Sequence, residues 1–300
     1  MIRSLNAALG CTLVAGALFV TPIAAAQAPQ VPPPAPPVTP PTPAAPAAPP
    51  EHRTLADAQR LFYNAHYEEA AALAHTLRTS GPHDLANDEV RTTALLFVLR
   101  GLLKGQDAHN GEDKDAVLKA CTKCPAVLAT FTEDLHHGQK IAREMLKANP
   151  ADETALFYLG KLDLNYVWLQ LGLLGKKTGW DEYWEARKSL DALLKANPKH
   201  VRARVARGWI DFIVNTRMPW GTRWILGGGN KKKGLAAVRE GAAMATDPFS
   251  HAEAEFALWD MLLRDKNIAE ATEVARRIAQ AFPENTEVAV FLKGRATPAK

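Results

Sequence analysis

The string LKANP occurs twice, at residues 146–150 and again at residues 194–198, 48 positions apart. Its front half favours a helix and its back half ends one. Leu, Lys and Ala are good helix formers, while Pro lacks a backbone donor and pushes the preceding residue away from helical geometry. A string that ends a helix twice suggests a repeated unit, and the prolines are where further copies should appear. Beyond the N-terminal region, Pro82, Pro150, Pro198, Pro248 and Pro283 each follow a helical pattern. Twelve residues before each sits a small one: Ala70, Gly138, Ala186, Ala236 and Ala271. Helices that cross closely need a small residue at the crossing, with a large one beside it. Tyr67, Leu135, Tyr183 and Ile268 supply the large one three places earlier, and Lys233 breaks the pattern in the remaining unit.

Apolar residues recur at three- and four-residue spacing in nearly every segment after Leu55, and strand signals are almost absent, so the expected class is all-α. The clearest units are HYEEAAALAHTLRTSGP (66–82), EYWEARKSLDALLKANP (182–198) and NIAEATEVARRIAQAFP (267–283). Gly160 and Gly208 each follow an LKANP proline by ten residues. This pattern resembles the tetratricopeptide repeat, a helix-turn-helix unit of about 34 residues. The resemblance covers most of residues 51–293 and implies an α-solenoid of antiparallel helix pairs. The proline spacings of 68, 48, 50 and 35 exceed the family period in all but the last case. The excess predicts extra helices or long loops within residues 90–128, 168–180 and 220–234.

The N-terminus reads as an address. Arg3, an apolar stretch over residues 5–23 and Ala24-Ala25-Ala26 have the order of a secretory signal peptide over residues 1–26. A retained anchor is the competing reading of the same stretch. Export to the periplasm, or otherwise out of the cytoplasm, is the expected consequence. Residues 27–50 read as a disordered Pro-rich tether: twelve of the 21 prolines lie between positions 29 and 50, with no charge among them. Residues 51–293 are the expected helical-repeat domain, and residues 294–300 a disordered tail.

The formal charge of +4 hides an uneven distribution. Residues 176–240 hold fifteen Lys/Arg against six Asp/Glu, a net of +9, together with five of the seven tryptophans. Residues 220–234 place three glycines before Lys231, Lys232 and Lys233. No GxxxxGK[ST] is present, so the stretch reads as a basic loop or a contact for an acidic partner.

Few residues point to chemistry. Cys121 and Cys124 are the only cysteines beyond the signal peptide, and in an oxidising compartment the pair reads as a structural disulfide. Redox catalysis would need a strand-built scaffold. His136 and His137 point about 100° apart on a helix and do not share a metal. The acids of residues 109–115 miss the EF-hand positions. With no nucleophile elbow, zinc-protease motif or dinucleotide fingerprint, no catalytic residue, metal or cofactor is predicted. Export also argues against nucleic acid as a partner.

The tetratricopeptide resemblance implies a concave groove lined by the first helix of each pair. Carried onto this chain, it places Thr154, Phe157, Lys161 and Leu164 there from Gly160, and Arg202, Val205, Trp209 and Phe212 from Gly208. Core packing is the competing reading of Trp209. The expected partner surface is therefore Phe157, Lys161, Arg202, Val205, Trp209 and Phe212, with Lys231, Lys232 and Lys233. The expected function is a non-enzymatic scaffold or adaptor in the cell envelope, binding a protein through an acidic or aromatic segment. The alternative is a ligand-binding accessory subunit of a solute transporter, with the apolar residues 166–175 lining a pocket.

Overall fold

The computed structural model describes residues 53–79, 81–82, 84–104 and 114–296. The expected signal peptide and tether lie outside the described residues, as do most of the acidic stretch near residue 110 and the last four residues of the tail. All described secondary structure is helical.

The helices come as five successive pairs. α1 (Leu55–Tyr63) packs on α2 (Tyr67–Thr76), and α3 (Asp84–Lys104) packs on α5 (Cys124–Ala148), with α4 (Lys114–Ala120) between them in sequence. α6 (Glu153–Val167) packs on α7 (Trp180–Ala196), joined through a π-helical turn at Trp168–Leu173. α8 (Val201–Arg217) packs on α10 (Lys231–Met244), with the short α9 (Trp220–Arg223) between. α11 (Pro248–Arg264) packs on α12 (Ile268–Ala281), and α13 (Thr286–Ala296) covers α12. Each pair also packs on the next. The extra length thus lies in α4 and the long α3 and α5, in the π-helical turn, and in α9. α13 continues three residues past the expected domain end at 293.

The two LKANP strings fold alike. Asn149 and Asn197 cap α5 and α7 with non-helical φ of −139° and −129°. Their Oδ1 atoms accept from the backbone N–H of Ala151 and Lys199, each at 3.2 Å. The Asn side chain thus stands in for a backbone turn. Asp152 and His200 then cap α6 and α8 by accepting from Ala155 N–H and Ala203 N–H.

The predicted crossing residues Ala70, Gly138, Ala186 and Ala271 are buried. Ala236 is not; it is exposed on α10. Gly234 takes its place, where an added Cβ would lie 2.5 Å from Gly208 O. The fourth of the five prolines, Pro248, also differs from the expectation. α10 stops at Met244, and Pro248 opens α11 behind the Asp247 cap. The cause is the α9 insertion, which delays the start of α10 until Lys231 and shifts its register. Pro at a first helical turn costs nothing, because that N–H has no intrahelical partner.

The succession closes on itself. α1 packs against α11, and Tyr63 lies 5.3 Å from the Phe256 ring and 5.2 Å from the Phe282 ring. Asn285 Nδ2 donates to Tyr63 O at 2.7 Å. Among the described residues, no helix is long and apolar enough to cross a membrane.

Candidate interaction surface

The inner face was expected to be an open groove; its side chains are engaged with one another. Phe157 and Lys161 on α6 meet Arg202 on α8, the cation over the ring and the two cations around one acid. Two acids that the sequence did not single out complete the cluster, Glu89 on α3 and Glu253 on α11. Lys161 Nζ lies 3.4 Å from Glu89 Oε1 and donates to Glu253. Arg202 donates to Glu89 Oε2 at 3.0 Å and to Glu253, and its guanidinium sits 4.6 Å from the Phe157 ring centroid. Burial pushes Glu253 up, but Arg202 and Lys161 outweigh it and hold the carboxyl down at about 2. Two cations and two anions cancel in a site where an unpaired charge is costly. Val205 and Phe212 are core residues, and Trp209 is half-buried with Nε1 3.5 Å from Asp260 Oδ2. Lys161 and Arg202 are thus both committed to Glu89 and Glu253. The only signal for Glu253 was an acid inside an apolar helix, and Glu255 shares that stretch. Burial does not separate them, since Glu255 is also inside, paired with Arg277.

The outer surface beside α7 and α10 is different. Trp180 and Trp184 on α7 are 38% and 42% exposed, while Trp220, Trp224 and Ile225 at α9 are 85%, 75% and 54% exposed. Single exposed apolar residues are ordinary; here five occur on two segments, α7 and α9. The α9 segment is firmly mounted. Arg187 donates to the carbonyls of Leu226 at 3.1 Å and Gly227 at 2.8 Å, and Tyr183 Oη donates to Leu226 O at 2.8 Å. Gly227 and Gly228 both have φ of +73°, a left-handed conformation that glycine adopts freely. An added Cβ at Gly229 would lie 2.7 Å from Asn215 N. The three glycines therefore fit a specific backbone path.

The two halves of this surface are not equivalent. Trp180 and Trp184 flank the Tyr183 ring at 6.5 and 5.3 Å, a packed aromatic cluster with acids nearby at Asp181 and Glu182. Along the sequence around α9 the charge has one sign. No acid occurs between Asp211 and Glu240, while Arg217, Arg223, Lys231, Lys232, Lys233 and Arg239 do. Lys231 pairs with Asp265 and Arg239 with Glu270. Arg217, Lys232 and Lys233 are exposed and enter no ion pair among the described residues. A cation in the first turn of a helix opposes the macrodipole by about 0.3–1 kcal/mol, yet α10 begins with three lysines and no acid.

The remaining expected sites are quickly placed. Cys121 and Cys124 form a disulfide at the start of α5, with both residues buried. His136 is exposed, and His137 Nδ1 lies 2.8 Å from Asp88 Oδ2. Asp88 belongs to a buried network with Arg78, which also binds Asp134. Within residues 166–175, Leu169 and Leu174 are core residues. Among the described residues no group of His, Cys, Asp and Glu is arranged to hold a metal. Compared with family models, with curated proteins and with solved structures, the chain has no match.

Proposed function

We propose that the chain is an exported, non-enzymatic scaffold of tetratricopeptide type that holds a protein partner in the cell envelope. The observation that carries this reading is the exposed aromatic cluster of α7, where Trp180 and Trp184 are held against Tyr183. Pre-ordered indoles are the side chains that dominate binding hot spots, because they bury a large area at little entropic cost. The succession of helix pairs, each built on a small-residue crossing, supports the solenoid part of the reading. The inner-face residues Lys161 and Arg202 support closure of the scaffold, and the partner seats outside. Lys176, Lys177 and Lys188 lie near the indoles in sequence and favour a partner with an acidic or aromatic segment.

The test is a photo-crosslinking residue at position 184, introduced into the full chain in its own cells. A single dominant protein adduct is expected, and Trp180→Ala should weaken its capture by tenfold or more, about 1.4 kcal/mol or above. A folded, abundant chain that yields no protein adduct at position 184 would remove this reading.

A further inference from the structure

We propose that the α9 segment is a membrane-surface contact, which seats Trp220, Trp224 and Ile225 in the headgroup region of an anionic bilayer. It concerns residues other than the α7 cluster and does not depend on the identity of the protein partner. Three observations carry it. The first is protrusion. Trp220 and Trp224 are 85% and 75% exposed, far more than the α7 indoles. Protein hot spots are indoles packed among neighbours, as Trp180 and Trp184 are with Tyr183. Indoles that stand clear of the surface suit a medium that closes around them, and Trp is the residue enriched at lipid–water boundaries.

The second observation is charge of one sign. From position 212 to position 239 the chain carries six cations and no acid. Arg217, Lys232 and Lys233 are exposed and unpaired among the described residues, and Arg223 binds only the Met218 carbonyl. Unpaired cations beside exposed indoles attract anionic headgroups, and each basic residue near such a surface strengthens binding severalfold. The pairing of an apolar wedge with surrounding Lys and Arg is the chemistry of peripheral membrane anchors. The third observation is the mount. Arg187, Tyr183 and Asn215 all bind carbonyls of residues 226–229, so the chain directly after the wedge is tied down and less ordering is needed on contact.

The experiment uses the full chain with Cys11→Ser and Ile225→Cys, carrying an environment-sensitive fluorophore at position 225. The label reports on this site even where the apolar N-terminal stretch also binds lipid. It is mixed with phosphatidylcholine vesicles, with and without phosphatidylglycerol. The expected result is a blue-shifted, brighter signal with anionic vesicles only, quenched by brominated lipid and lost at high salt. Arg217→Glu with Lys232→Glu and Lys233→Glu should weaken the response at least tenfold. Trp220→Ala with Trp224→Ala should weaken it comparably while helicity stays unchanged. An unshifted label on anionic vesicles overturns the proposal. So does a shift that appears only with an acidic protein, or one equal on both kinds of vesicle.

Discussion

Asp163 on α6 is fully buried, and Gln139 Nε2 donates to its Oδ1 at 2.7 Å. Its second oxygen, Oδ2, has no hydrogen-bond partner among the described residues. Arg143 approaches to 3.9 Å, but its guanidinium is committed to Glu185, with Nε 3.2 Å from each carboxylate oxygen. Burial first, and then the Glu185 charge, push the Asp163 carboxyl from 3.8 up to about 8. The folded protein therefore keeps a proton that the unfolded chain releases above pH 3.8. Folding stability should fall as pH rises from about 4 to about 8 and change no further beyond it through this group. One proton sets the limiting slope at about 1.4 kcal/mol per pH unit. Asp163→Asn keeps the shape and removes the titration. Denaturant midpoints across that range should show the variant matching the parent near pH 4 and exceeding it at pH 8. Parallel curves would mean that Asp163 is ionised in the folded state. Nothing in the sequence announced this residue. An acid in the helix Glu153–Val167 reads as a solvated face, and its burial comes from α5 and α7, which meet there only in the folded chain.

At the scale of elements, legibility followed local chemistry. The LKANP turns were readable because their signals act within five residues, and the structure repeats them hydrogen bond for hydrogen bond. The α8–α10 crossing was misread because its small residue moved from Ala236 to Gly234 when α9 was inserted. That crossing also leaves less room than the glycine crossing at Gly138. A Cβ at Gly234 would lie 2.5 Å from Gly208 O and 3.0 Å from Phe212 N, both backbone atoms that do not yield locally. At Gly138 the nearest atom to an added Cβ is the movable end of Leu162, at 2.7 Å. Alanine gains about 1 kcal/mol of helix propensity at either site. Gly234→Ala should nonetheless lose about 1–3 kcal/mol net through forced separation of the two helices. Gly138→Ala should cost less. Urea unfolding of both variants, with unchanged denaturant slope, measures the difference. Equal effects would mean that the α8–α10 spacing is adjustable.

Over the whole molecule, the contact between α1 and α11 changes how stability is shared. In an open stack each unit touches only its neighbours, and the ends fray. Here Tyr63 of the first pair is buried among aromatic residues of the last, and Asn285, 3% exposed, ties the two ends through Tyr63 O. Glu89, Lys161, Arg202 and Glu253 add a second tie, since they join α3, α6, α8 and α11 at one point. These residues lie up to 222 positions apart, so no local pattern could pair them in advance. Glu253→Gln leaves two buried cations facing one anion and should cost about 3–5 kcal/mol. Because the cluster spans four helices, that loss should spread. Hydrogen exchange in Glu253→Gln should show reduced protection in α3, α6, α8 and α11 together. Asn285→Ala should instead release α1 and α13 and leave α6 and α7 protected. A Glu253→Gln effect confined to α11 would mean that the four charges act as separate pairs and that the inner face opens unit by unit.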